Sequence, residues 1–231
     1  MTLPNTNEDN TALTRESWDK AHENNWGRGK APEQWVMHFI RGHRDEIDGS
    51  ILDLGCGGGR QLVPLRLEGL NVVGFDISES GLKETRIKLR ELGLGTELDR
   101  GEMHEPLPYE DEQFGGAISI QVVSHNRWPE IEKTFAEARR VLKKGSYFVW
   151  KARSTEYWCE PRQQVEDHGY TAQDTEGKKK GVDQHYFSRD EIDELAEKYG
   201  FEVVGEPFES REKWEHKKGI KAHWNVVFQA V

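Results

Sequence analysis

The chain has 231 residues, 32 of them Lys or Arg and 42 Asp or Glu, for a formal net charge of −10. That length supports one large domain with its own core, and the acidic balance argues against a general electrostatic grip on nucleic acid. Two cysteines, Cys56 and Cys159, are too few for a disulfide framework, no apolar run approaches the ~18 residues that span a bilayer, and nothing at the start resembles a secretory signal, so a cytoplasmic location is expected.

Residues 1–14 are polar and are expected to be loose. Pro32 suits the first turn of a helix, and Trp35, Val36, Phe39, Ile40 and Ile47 mark an apolar stripe along it. Strands are predicted at 50–54, 71–76, 96–100, 116–121 and 146–152, with helices up to residue 68 and over Ser80–Leu92 and Pro129–Leu142 between them. Ser188 caps a helix that begins with acids and ends before Gly200. Strands at 201–209 and 223–231 close the chain and should pair antiparallel, because no crossover helix separates them.

Strands alternating with helices predict an α/β fold: a Rossmann-like seven-stranded, mostly parallel sheet with helices on both faces and an antiparallel final strand. It is read as one domain over 1–231, with a helical cap at 1–47, a core at 48–152 and a C-terminal helix and strand pair at 187–231. Between them, 153–186 shows no clear element and is too long for a simple connection, so it reads as a lid or a substrate insertion. The run Lys178, Lys179, Lys180 reads as a solvated loop.

After the first strand comes "DLGCGGGRQ". Gly55, Gly57 and Gly59 allow a sharp turn and close approach of a ligand to the backbone. A dinucleotide fingerprint counted from Gly55 needs its third glycine at position 60, which is Arg60. The pattern present runs from Asp53 through Cys56 to Gly59 as D-x-G-x-G-x-G. It resembles the first motif of the class I S-adenosylmethionine-dependent methyltransferases. Asp76 ends the second strand, where a carboxylate can accept both hydroxyls of a ribose, and Ile77 follows it. "RGEMHEPLPYEDEQFGGAISIQ" resembles a later stretch of the same family, and "EARRVLKKGSYFVW" its fifth strand and the helix before it. Gly115 stands where the family usually has Asp.

That resemblance implies S-adenosyl-L-methionine as cofactor and a methyl group passed to an acceptor by in-line displacement. It implies contacts from Glu102 to the adenine amino group and from Met103 to the ring, with Gln121 at the rim. "SWDKAHENNWGRGKAPEQW" is similar to the start of the thiopurine, tellurite and halide group, which implies that Trp18 and Trp26 fold over the cofactor and Arg28 pairs its carboxylate. Trp214 and Trp224 near the closing strands fit that group too.

His125 after the fourth strand is the candidate base, with packing at a strand end as the alternative. His168 and His185 each read as surface histidines. No cluster has metal spacing. A small-molecule acceptor with no membrane partner is expected, an RNA or protein acceptor being the enzymatic rival. A non-catalytic domain that binds S-adenosylmethionine is the rival of another class.

Overall fold

The computed structural model describes residues 6–24, 29–157, 163–164, 170–173, 183–214 and 219–231. The helices are α1 (Thr6–Glu23), α2 (Gln34–Gly42), α3 (Leu62–Leu67), α4 (Glu79–Glu91), α5 (Trp128–Val141) and α6 (Arg189–Tyr199). The parallel strands are β1 (Ile51–Leu54), β2 (Val72–Asp76), β3 (Leu98–Arg100), β4 (Phe114–Ile120) and β5 (Leu142–Arg153). Three short strands follow, β6 (Gln163–Gln164), β7 (Tyr170–Gln173) and β8 (Asp183–Tyr186), and then β9 (Phe201–Val203), β10 (Phe208–Trp214) and β11 (Gly219–Ala230).

The main sheet runs β10-β11-β5-β4-β1-β2-β3, with β9 also on β11. β11 pairs antiparallel with β5, β9 and β10. Eight strands thus fill seven positions, as expected for the fold. The predicted 201–209 strand is broken because Gly205 takes a left-handed φ of 67° and Pro207 has no N–H to give a ladder. Its halves pair with different ends of β11.

Alternate side chains divide the core into two layers, as the period of a strand requires. Leu52, Leu54, Phe75, Phe148 and Trp150 pack with Phe135 of α5 and Ile192 of α6. Ile51, Val72, Ile118 and Val149 pack with Val36 and Ile40 of α2 and Leu82 and Leu89 of α4. Pro32 stands just outside α2, whose cap is Glu33.

Two stretches differ from expectation. Residues 1–14 are expected to be loose, but within the predicted helical cap α1 already starts at Thr6 and lies on α4. Its docking is polar: the Asp19 carboxylate accepts from Ser78 Oγ at 2.7 Å and Ser80 N at 3.0 Å. A polar seam leaves no apolar stripe to read. The 153–186 stretch contains the antiparallel β6-β7-β8 sheet. Its last strand is buried, and Phe187 bonds Arg153 and Thr155 backbone to seat it against β5.

α6 begins with the predicted cap: Ser188 Oγ accepts from Glu191 N, and Glu191 reaches back to Ser188 N at 2.7 Å. Ser188→Ala is expected to cost about 1 kcal/mol, a fall of roughly 2–4 °C in a thermal melt. An unchanged melt would show that Glu191 alone holds this end.

Candidate functional site

The C-terminal ends of the parallel strands meet at a cavity of about 730 Å³. Such ends are where open α/β sheets hold ligands, because loops there diverge to opposite faces. At one end β1 gives way to the glycine turn. Gly55, Gly57 and Gly59 all have positive φ, 89°, 49° and 76°. A Cβ at Gly55 would lie 2.5 Å from Val122, and one at Gly59 2.8 Å from Val63 and 2.9 Å from Thr85. Gly55 therefore admits the loop after β4, while Gly59 seats the turn against α3 and α4.

Asp76 ends β2 and lines the cavity. Its Oδ2 accepts from Gly57 N and its Oδ1 from Ser78 N, each at 2.8 Å. Each oxygen keeps a lone pair for a further donor. Burial pushes its pKa upward, although the two backbone N–H bonds oppose this. Asp53 lies beneath the turn, 3% exposed, with Oδ2 bonded to nothing in the described structure. Burial first, and then the neighbouring Asp76 charge, raise it to about 7. Burial and the same two carboxylates raise the Cys56 thiol, so it stays protonated and is no nucleophile.

Of the residues singled out in the sequence, Gly55, Cys56, Gly57, Asp76, Ile77, Glu102, Met103, Gln121 and His125 line this one cavity. Asp53 and Gly59 support the turn from outside the lining. Trp26, Arg28 and His168 lie outside the described residues, as does the side chain of Trp214. The reading of His185 as a surface histidine is corrected: it is fully buried, 2.7 Å from Thr171 Oγ1 and 3.2 Å from the Glu191 carboxylate. Burial would raise Glu191, but bonds from His185 and Ser188 outweigh it and hold the carboxyl low. This pair fastens the β6-β7-β8 sheet to α6. Trp224 Nε1 donates to Phe187 O at 2.9 Å and so also holds this region to β11.

α1 roofs the cavity. Trp18 meets His125 edge-on, ring centres 4.8 Å apart, and Arg15 donates to Glu102 at 2.9 Å. His125 is 9% exposed. Gln121 sits at a left-handed φ of 62°, rare for a residue with a Cβ. That backbone turns its Nε2 to within 2.9 Å of His223 Nε2. Such a conformation costs free energy and is held here by the surrounding structure.

The far wall went unread in the sequence. Lys151 and Arg153 alternate along β5, and Lys221 and His223 along β11, so all four share one face of the sheet and line the cavity. Lys30, Glu33, Arg60 and Tyr157 join them. One signal was available: "VWKARS" keeps the alternation of a strand while its residues turn cationic past the apolar core. Among the described residues no His, Cys, Asp and Glu cluster could hold a metal ion, and no helix is long and apolar enough to cross a membrane.

Residues 51–145 match the family model described as a methyltransferase domain. A relative in sequence is 24-methylenesterol C-methyltransferase 2 of Arabidopsis thaliana, 34% identical over 167 residues, which are 68% of this chain and 42% of that protein. The chain spans less than half the length of the curated relatives it matches first. A methyltransferase from Methanosarcina mazei superposes with a TM-score of 0.68 at 21% identity, covering 84% of this chain and 97% of that one. The 1,6-didemethyltoxoflavin-N1-methyltransferase of Burkholderia thailandensis, solved with its ligand and S-adenosylhomocysteine, gives 0.73 at 14% identity, covering 100% and 92%. The sheet order, the glycine turn above Asp53 and these matches give the chain a methyltransferase domain over residues 51–145 and the fold of the class I S-adenosylmethionine-dependent methyltransferases.

Proposed function

We propose that the protein binds S-adenosylmethionine in this cavity and methylates a small-molecule acceptor beside it. The observation that carries the reading is the junction of Gly57 and Asp76, where the turn backbone and a buried carboxylate face the same space. The residues present fit the cofactor. Asp76 holds the ribose hydroxyls with its remaining lone pairs, and the Gly55–Gly58 backbone admits the methionine portion. Ile77 and Met103 pack on the adenine ring and Glu102 accepts its amino group. Gln121 lies on the route from this end to the acceptor. Trp26 and Arg28 are proposed, on the family resemblance alone, to complete the cover over the cofactor.

When bound, the cofactor supplies a methyl group on a sulfonium. The chain's own part is to position the acceptor and keep water out. Trp18 on α1 and Val122 narrow the space between the two ends. The 1–47 cap and the 153–186 insertion are proposed to close it together. An acceptor that is protonated in its ground state would give its proton to His125; an anionic one needs no base. The lining continues past His125 to β5 and β11, which supports catalysis over a domain that binds cofactor alone.

Calorimetry with S-adenosylmethionine, S-adenosylhomocysteine and NAD tests the reading, and binding of NAD alone would overturn it. Asp76→Ala is expected to weaken the first two by about 1–3 kcal/mol, as for a lost charged hydrogen bond. Unaltered affinity would mean that the ribose sits elsewhere.

A further inference from the structure

The cofactor end of the cavity and its far wall meet at Gln121. The side chain of the next residue, Val122, lies 2.5 Å from where a Cβ at Gly55 would stand, so the loop after β4 touches the glycine turn. Gln121 reaches the other way, and its Nε2 lies 2.9 Å from His223 Nε2 on β11. In the sheet β11 stands three positions from β1, or roughly 14 Å. The pair therefore spans β5 and lies on the acceptor side of the turn.

Gln121 is fixed at both ends. Its backbone keeps a φ of 62° while its N–H donates to Lys151 O at 2.7 Å, and the imidazole holds its amide. Among the described residues the two side chains hydrogen-bond each other and no third residue. Burial first, and then Lys151, Arg153, Lys221 and Arg60, push His223 down to about 3, so it is neutral near pH 7. Tyr157 meets it edge-on, ring centres 5.5 Å apart.

A neutral imidazole has one N–H and one bare nitrogen. When the Gln121 amide donates to Nε2, the ring proton is on Nδ1. Gln121 Oε1 is then an acceptor and His223 Nδ1–H a donor. Turning the amide over and moving the ring proton to Nε2 leaves an amide N–H as donor and Nδ1 as acceptor. Either way the pair offers an acceptor and a donor, and both residues line the cavity. Neither Gln121 Oε1 nor His223 Nδ1 is buried without a hydrogen-bond partner, so with no third residue on them each is reached from the cavity. A carboxylate only accepts and an ammonium only donates, and each would leave half of the pair unmatched.

Resting on the methyltransferase reading above, we propose that the Gln121–His223 pair selects the methyl acceptor by an uncharged group that donates and accepts at one place, a hydroxyl or a lactam. The imidazole takes no proton in this role. It orients the amide, and His125 remains the candidate base. Tyr157 and Trp18, on the same cavity, supply flat surface for a ring carrying such a group. A site with polar groups matched in this way rejects an analogue that leaves them unmatched.

Calorimetry on the full chain saturated with S-adenosylhomocysteine tests this. The probes are 2-naphthol and 2-quinolone. They are set against 2-methoxynaphthalene and N-methyl-2-quinolone, which lack the donor, and against 2-naphthoate and 2-naphthylmethylammonium. At least one neutral probe is expected to bind about fivefold or more tighter than its methylated partner and than either ion, and comparing the two tells hydroxyl from lactam. His223→Phe is expected to erase that preference, and binding of S-adenosylhomocysteine to the variant shows that it has folded. Nitrogen-15 shifts of the imidazole, assigned by their loss in His223→Phe, are expected to report one neutral tautomer in the wild type near pH 7 and a mixture in Gln121→Leu. Three results each overturn the proposal and leave the cofactor reading standing: no preference for either neutral probe, a preference that survives in folded His223→Phe, or a mixture of tautomers in the wild type. If S-adenosylhomocysteine does not bind the wild type, the cofactor reading fails, and this inference with it.

Discussion

As the pH rises above about 4, Asp53→Asn is expected to gain stability relative to the ligand-free wild type. The Asp53 carboxyl moves from an ordinary 3.8 to about 7 on folding, through burial and the nearby Asp76 charge. A raised acid binds its proton more tightly in the folded state than in the unfolded chain. Its contribution is therefore neutral below about pH 4 and turns against folding as the pH climbs toward 7. A carboxyl carried that far gives up roughly 4 kcal/mol once the pH is well above both values. The asparagine keeps the acceptor that the Leu62 N–H uses and carries no charge to desolvate. Urea unfolding of both proteins between pH 4 and pH 8 checks this. The gap between them should widen with pH in favour of the variant. Parallel profiles would mean that Asp53 titrates like an exposed acid.

Gly115→Asp restores the residue that the family usually carries at this position, and it is expected to cost about 3 kcal/mol or more. At Gly115 a Cβ would stand 2.4 Å from the carbonyl oxygen of Asp48 and 2.7 Å from its nitrogen. These are backbone atoms tied down by Gly115 N donating to Ser50 O at 3.0 Å, so no rotamer change relieves the clash. Overpacking of this kind costs about 1–3 kcal/mol, and a buried carboxylate facing carbonyl oxygens adds to it. Gly115→Ala isolates the steric part. Gly116→Ala is the internal control, because its Cβ would meet nothing nearer than Tyr147 O at 3.6 Å. At roughly 2–4 °C per kcal/mol, thermal melts separate the two alanine variants by several degrees. Equal melting temperatures would show that the chain at Asp48 yields freely.

The departure at Gly115 shows what a local reading misses. Beside Phe114 it looks like a loosened turn. In the fold it is the point where the segment entering β1 crosses β4, a contact between residues far apart in the chain. The same limit hid α1. Its helix is held by Asp19 on the start of α4, by Arg15 on Glu102 and by Trp18 on His125, all partners supplied by other elements. Without an apolar stripe, nothing in the segment itself announces a docking face. His185 looked like a surface residue because its partners, Thr171 and Glu191, belong to β7 and α6.

What the sequence by itself determined was the order of the core elements, the seven-position sheet and the turn from Asp53 to Gly59 with Asp76 after it. Those features are written in short-range patterns: apolar alternation, a glycine run after a strand, a cap before a helix. Only the tertiary structure decided which charges share a wall. Lys30, Arg60, Arg153 and Lys221 come from four separate places in the chain, and the pairing of β5 with β11 sets the last two on one face. Electrostatic energy depends on distance through space, and that distance is absent from a linear sequence until the strands have paired.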